Sequence, residues 1–226
     1  MRRIIINGCV DRVAYLKSLC AGKVVLHLGC AGAGLTLKKL KDGSLLHLCL
    51  ASVVSQLYGV DLDADSVEIM RKNGIPNLFV GDCEHLDQIR FPETFDVILA
   101  ANLLNLLGEP GKVLEEAKKL LKPDGNFVVS TDNIYSVKKF LTYLLLHIDM
   151  SHPSHLWHAS PSSLGNLLER SGYVPSEIRG FWTGVDILSR QTLRDKWSNY
   201  ILSRLPLPAG CADGLIVRAR LATSVA

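Results

Sequence analysis

The feature that most restricts what this chain can fold into is an apolar run that leads straight into a turn of small residues. Val24-Val25-Leu26-His27-Leu28 reads as a buried strand and is closed by Gly29-Cys30-Ala31-Gly32-Ala33-Gly34. A strand buried along its whole length needs cover on both faces, as in a parallel sheet flanked by helices. A turn of glycine and alanine lets a ligand approach the backbone closely. A bare tight turn has the same composition, so the turn alone does not name a ligand.

The rest of the chain repeats the alternation. Strands are predicted over residues 24–28, 58–61, 77–80, 95–101, 126–130, 174–181 and 215–221. Helices are predicted over about 12–20, 45–57, 65–72, 112–121, 136–147 and 160–171. Asp11 and Ser44 are the expected N-caps of the first two helices, and Pro161 suits the first turn of the last. Residues 38–43 read as a polar connection. The pattern predicts an α/β fold, a Rossmann-like, doubly wound and mostly parallel seven-stranded sheet with helices on both faces. Ligands of such sheets bind at the carboxyl ends of the strands, near the switch point. A length of 226 residues suits one domain, residues 1–226, with about 182–208 read as a segment inserted at an acceptor site.

Composition narrows the function classes. A net charge of +3 is too small to argue for nucleic acid or a membrane surface as partner. None of the six cysteines forms a C-x-x-C pair, so neither a zinc knuckle nor a thioredoxin-type motif is expected. Cysteines scattered through apolar runs fit a reducing cytosol. The first residues hold too short an apolar run for a secretory signal, and the run over 141–148 is too short to span a bilayer. A soluble cytoplasmic protein is expected.

Three further features follow the small-residue turn in order. Asp61 ends the second strand, where a carboxylate can accept both ribose hydroxyl protons. It lies 61 − 34 = 27 residues after the last glycine of the turn, against roughly 20 in a dinucleotide fingerprint. Gly81-Asp82-Cys83 ends the third strand and places a carboxylate where an adenine amine can donate to it. Leu121-Lys122-Pro123-Asp124-Gly125 precedes the fifth.

With these residues together, the chain resembles the class I S-adenosylmethionine-dependent methyltransferases. Val25-Leu26-His27-Leu28-Gly29-Cys30 is similar to their first motif, V-L-D-L-G-C-G-x-G, and Gly59-Val60-Asp61-Leu62-Asp63 to their second. Gly81-Asp82-Cys83-Glu84-His85-Leu86 is similar to G-D-A-E-x-L, and Phe95-Asp96-Val97-Ile98 and the Lys-Pro-Asp-Gly stretch to the fourth- and fifth-strand signatures. The resemblance runs from about residue 11 to 180. It implies S-adenosylmethionine as cofactor, with Asp61 on the ribose, Leu62 against the adenine, Asp82 on its amine and the Cys83 N–H on a ring nitrogen. Gly29, Cys30, Ala31 and Ala101 are expected to line the same site.

Two departures stand out. The family's acid in the first motif is His27 here, and the middle glycine is Ala31. That acid interacts with the cofactor's amino group. A neutral histidine can accept one hydrogen bond, whereas a protonated one repels an ammonium. A helix starting after Ser44 would offer its N-terminus to the cofactor carboxylate, with His47 in the first turn placed to assist.

Methyl transfer is an in-line displacement at a sulfonium carbon and requires no metal, only alignment and in some cases removal of a proton. After the fourth strand, where many relatives read E-x-L-E-H, this chain has Asn102, Asn105 and Leu106, so the family's histidine is absent. Candidate catalytic groups are therefore Asn102 and Asn105 together with His152 and His155, from Ser151-His152-Pro153-Ser154-His155-Leu156-Trp157-His158. A similar H-x-x-H-x-x-x-x-S/T-P stretch recurs in bacterial members of the family linked to sugar or polysaccharide modification. The bland alternative is a turn whose histidines cap the next helix. The expected partner is a small-molecule acceptor with an oxygen or nitrogen nucleophile. Competing readings are a nicotinamide-dependent oxidoreductase, an enzyme that cyclises S-adenosylmethionine itself, and a non-catalytic member of the fold.

Overall fold

The computed structural model describes residues 4–32, 34–149, 152–183 and 207–222. Most of the segment expected at the acceptor site, with Trp197 and Tyr200, lies outside the described residues. The chain enters through helix α1, Arg12–Cys20, whose first turn is capped by Asp11 accepting from the Ala14 N–H at 2.7 Å. Then follow β1, Val24–Leu28; α2, Thr36–Lys41; α3, Leu46–Ala51; β2, Gln56–Asp61; α4, Ala64–Lys72; and β3, Leu78–Val80. The second half holds β4, Phe95–Ala101; α5, Pro110–Leu120; β5, Leu121–Asp132; α6, Val137–Leu146; α7, Pro161–Arg170; β6, Tyr173–Phe181; and β7, Gly214–Leu221.

The seven strands form one sheet in the order β3-β2-β1-β4-β5-β7-β6. The first five run parallel, and β7 is antiparallel to both β5 and β6. Successive side chains of a strand point to opposite faces, and the burial follows that rule. Leu26, Leu28, Ile98, Ala100, Phe127 and Val129 pack on one face against Val113, Leu114 and Ala117 of α5 and Leu164 and Leu168 of α7. Val25, Val97, Leu99 and Val128 pack on the other against Leu16 and Leu19 of α1 and Leu50 of α3. His27 shares the parity of Val25, so it faces the α1 and α3 side. The strand order reverses between β1 and β4, which leaves a crevice at their carboxyl ends.

Two expectations near that crevice need correction. The predicted helix over 45–57 stops at Ala51, because pairing with β1 claims the residues beyond it: Gln56 lies opposite Val24 and Leu57 opposite Val25. The connection expected over 38–43 holds a helix of its own, α2. It begins at Thr36, whose Oγ accepts the Gly32 N–H at 2.8 Å and donates to the Ser66 Oγ at 2.9 Å. Ser44 caps nothing. Its hydroxyl donates to the nearby Asp42 carboxylate, and the N-cap position of α3 falls on Leu45 without a side-chain bond.

Gly59 of β2 shows how tightly this end is packed. A Cβ there would stand 2.7 Å from the Cys30 Sγ and 2.8 Å from the His47 Cε1 and the Leu78 Cδ2. Gly59→Ala should therefore cost about 1–3 kcal/mol by overpacking. Urea denaturation measures this, and an unchanged midpoint would show that β2 yields freely.

Candidate functional site

A cavity of about 440 Å³ opens at the carboxyl ends of β1, β2 and β4. Three groups of residues line it: Asp61, Leu62, Asp82 and Cys83 on the β2 and β3 side; Arg12, His27, Lys39 and Ser44–Leu46 toward α1–α3; and Ala101, Asn102, Leu103, Leu106 and Leu107 after β4. Gly29, Cys30, Ala31 and Gly32 form the floor between them.

That floor is tied to β2. The Gly29 and Cys30 N–H groups both donate to the Val60 carbonyl, at 2.9 and 3.1 Å, and the Ala31 N–H donates to the Asp61 Oδ2 at 2.8 Å. Gly29 has φ +68°, and a Cβ there would lie 3.1 Å from the Leu103 Cδ1. A side chain at this position would be strained by the positive φ and crowded against Leu103. Asp61 keeps its other oxygen on the Asp63 N–H at 3.0 Å. Leu62 stands 72% exposed above the cavity, an apolar surface with no protein cover. Asp82 accepts the Glu84 N–H at 2.8 Å and meets the His85 Nδ1 at 3.1 Å, while the far nitrogen of His85 lies 2.7 Å from the Lys112 Nζ. The Glu84 N–H, ahead of His85, holds the Asp82 carboxyl below its ordinary range, so it stays a charged acceptor at neutral pH.

The opposite end is electropositive. Arg12 of α1 donates to the Ser130 Oγ at 3.2 Å and lies over the Phe181 ring. Burial, then the charge of Arg12, lowers the pKa of Lys39. His27 is buried and stacks on the buried His47 of α3 with an interplanar angle of 13° and 3.3 Å between their Nδ1 atoms. Burial above all, then His47 and Arg12, pushes the pKa of His27 well down, and burial lowers that of His47 to about 4. Both rings are neutral at physiological pH.

A methyltransferase-domain family model matches residues 19–169. The chain belongs to the class I S-adenosylmethionine-dependent methyltransferases. Curated relatives include the ubiquinone biosynthesis O-methyltransferase of Proteus mirabilis, 27% identical over 116 residues, which cover 50% of this chain and 43% of that protein. The match to the enzyme of the same name from Paraburkholderia phymatum is 24% identical and covers 76% of this chain and 71% of the relative. The chain thus spans from under half to about seven tenths of the curated relatives it matches. Among solved structures, an S-adenosylmethionine-dependent methyltransferase from Mesorhizobium loti superposes with a TM-score of 0.57 at 17% identity, covering 92% of this chain and 96% of that one. A methyltransferase from Streptomyces caelestis superposes with the same score at 18% identity, covering 93% and 88%. These two likenesses concern the fold. The cofactor is S-adenosylmethionine, which overturns the nicotinamide alternative.

The cavity suits that cofactor. Asp61 and Asp82 supply acceptors on the β2 and β3 side and Leu62 an apolar face, while Arg12 and Lys39 supply positive charge where a carboxylate would lie. Of the residues expected from the sequence, His27, Gly29, Cys30, Ala31, Asp61, Leu62, Asp82, Cys83, Ala101 and Asn102 line the cavity. His47 does not; Gly59 leaves room for its ring behind His27. Asn105, His152 and His155 also lie off the cavity. Asn105 is buried under the segment that carries the histidines, whose Leu156 N–H donates to the Asn105 carbonyl at 2.9 Å while the Trp157 Nε1 donates to the Leu104 carbonyl at 3.1 Å.

The histidines do form a cluster, with His155 5.5 Å from His152 and 6.1 Å from His158 between ring centroids. Among the described residues no group of three His, Cys, Asp or Glu is arranged to hold a metal ion, and no helix is long and apolar enough to cross a membrane. Arg12 and Lys39, the latter from a short lysine pair that reads as a solvated helix face, also line the cavity. Neither sits in a motif, and only packing of α1 and α2 brings them to the cavity.

Two tests follow. Asp61→Ala should weaken S-adenosylmethionine binding by roughly 1.5–3 kcal/mol, the worth of hydrogen bonds to a charged group. Calorimetry giving an unchanged dissociation constant in the folded variant would show that Asp61 only holds Ala31. The histidine pair should make stability acid-sensitive. An unfolded histidine takes up its proton near pH 6.5, but the buried pair does not. Their contribution is thus complete above about pH 6.5 and is lost as pH falls toward the folded values, about 4 for His47. For His47 the loss is roughly 3 kcal/mol. Urea denaturation between pH 7 and 4 should show this slope, and His47→Phe should flatten it. An equal slope in the variant would place the acid sensitivity elsewhere.

Proposed function

We propose that the chain transfers a methyl group from S-adenosylmethionine to a hydroxyl of a small molecule with an apolar body. The observation that carries this is the wall after β4. From the nucleoside residues the cavity continues to Asn102, Leu103, Leu106 and Leu107, three leucines and one amide at the side left for the acceptor. The names of the curated relatives, O-methyltransferases, support oxygen as the nucleophile. The cofactor supplies a methyl on a sulfonium, a good leaving group. The protein has to align the acceptor and take its proton.

His155 is the proposed base, with His152 beside it as a supporting group; both stand beside the cavity, so this role requires the acceptor to extend past the loop after β4 to reach the ring. His155 sits at the end of β5 with its Nδ1 3.9 Å from the Asp132 Oδ2. Burial lowers its pKa against the pull of Asp132, so the ring is neutral and ready to accept a proton. The same Asp132 oxygen takes the Lys139 Nζ at 2.8 Å, so it would have to shift toward the ring to stabilise the resulting imidazolium. Asn102 reaches the cavity through a left-handed backbone, φ +51°, that asparagine tolerates, with its N–H on the Ser130 carbonyl at 2.7 Å. It is proposed to orient the acceptor hydroxyl, with the buried Asn105 supporting that loop.

A panel of small phenols and sugars, read by release of S-adenosylhomocysteine, tests the acceptor class. Methylation of amines alone would overturn the hydroxyl assignment. With an acceptor in hand, His155→Ala should leave S-adenosylhomocysteine affinity within about twofold and lower the methylation rate roughly 100-fold or more. An unchanged rate would remove His155 as the base.

A further inference from the structure

Helix α6 is amphipathic in the reverse sense. A helix of a globular domain turns its apolar stripe to the core and its polar residues to solvent. In α6 the polar residues Lys138, Lys139 and Thr142 are half-buried, and no residue of the helix is buried. Phe140, Leu141, Tyr143, Leu144, Leu145 and Leu146 stand between 40% and 71% exposed. The helix is anchored at its first turns by polar contacts. Its N-cap Ser136 donates to the Asp213 carboxylate at 2.7 Å, and the Lys139 Nζ reaches Asp132 at 2.8 Å. The polar side thus holds the helix to the body, and the apolar side faces outward.

This outward face is one patch. Phe140, Tyr143 and Leu144 recur at the i, i+3, i+4 spacing of a single helix face. Phe140 and Tyr143 share a groove of about 240 Å³ with the exposed Ile134, from the segment before the helix. An aromatic side chain covers about 150–250 Å². Two aromatics and four leucines at these exposures, with Ile134 and Ile148 beside them, exceed the roughly 300–600 Å² of the largest apolar patch on an ordinary monomer. They approach the roughly 800 Å² that each partner buries in a stable interface.

The charges at the two ends say what covers the patch. Lys138 and Lys139 stand in the first turn of α6, the helix itself holds no acid, and Asp149 follows its last turn. Both ends are the reverse of what the helix dipole favours, acid at the start and base at the end. A second copy laid antiparallel corrects both: each basic end lies beside the acidic end of its neighbour and the negative pole of its dipole. A two-fold dimer requires such self-complementarity. A bilayer surface asks instead for cations along the polar face of the helix, and here Lys139 is taken by Asp132.

We propose that the outward face of α6 is a homodimer interface. Two copies of the helix pack antiparallel about a two-fold axis near Tyr143 and Leu144, midway between residues 138 and 149, with Lys138 of each copy against Asp149 of the other. The proposal is independent of the acceptor.

Sedimentation equilibrium of the whole chain tests it. Wild-type protein should be a dimer at micromolar concentration. Leu144→Glu touches no buried residue of the helix and should leave a folded monomer. Lys138→Glu and Asp149→Lys should each weaken the dimer about 10-fold or more by setting like charges together. Glutamate at 138 also suits the positive end of the helix, so a loss of dimer in that variant is not a loss of helix. The double variant, with both charges exchanged, should restore the dimer. Within one chain residues 138 and 149 lie roughly 16 Å apart along the helix, too far for a zero-length bond. In a mixture of ¹⁴N- and ¹⁵N-labelled protein a carbodiimide should therefore join Lys138 to Asp149 across the two labels. A dimer that survives Leu144→Glu, or a double variant no tighter than the singles, would overturn the interface. So would a wild-type chain that stays monomeric, and its flotation with anionic phospholipid vesicles would then assign the face to lipid.

Discussion

The binding end of the molecule depends on one set of hydrogen bonds, those that hold the turn after β1 to the end of β2. The Val60 carbonyl takes two consecutive N–H groups and the Asp61 carboxylate takes the third. With the amides of Gly29, Cys30 and Ala31 so placed, the small-residue turn lies flat as the cavity floor. Asp61 is thereby held in position by a bond on each oxygen before any ligand arrives. A site with fixed polar groups loses less entropy on binding.

The second half of that end is a problem in burying polar groups. A carboxylate at position 27 would carry a charge into the core packed against α1 and α3. The histidine avoids the charge and stays neutral through burial. The cost passes to β2, which must present glycine at position 59 to make room for the second ring. His27, His47 and Gly59, far apart in sequence, thus form one packed unit, and Arg12 and Lys39 are left as the charged groups of that region.

The histidine segment is held by the backbone of the loop after β4. The Leu104 and Asn105 carbonyls receive the Trp157 Nε1 and the Leu156 N–H. This arrangement links the ends of β4 and β5, where Asn102 and His155 stand, although the two side chains come from segments some fifty residues apart. His158 turns away into a separate cavity of about 240 Å³ with Lys139, Phe140 and Tyr143.

Local pattern determined much of this protein. The seven strands, their alternation with helices and the sites of Asp61, Leu62 and Asp82 at strand ends were legible because a buried strand followed by a small-residue turn or an acid is a short-range signal. The order β3-β2-β1-β4-β5-β7-β6 and two packed faces agree with it. Where neighbours compete for the same residues, the sequence was silent. Residues 52–57 look helical by hydrophobicity, yet pairing of Gln56 and Leu57 with β1 takes the last two into a strand. Ser44 has the chemistry of a cap, but Asp42 is closer. His47 looked like a cofactor group from its place in a helix, and only the tertiary structure put it behind His27. Arg12 and Lys39 carry no motif at all. Their place at the cavity exists because α1 packs on the sheet face and α2 packs against α4, and contacts between distant segments leave no periodic trace in the chain that makes them.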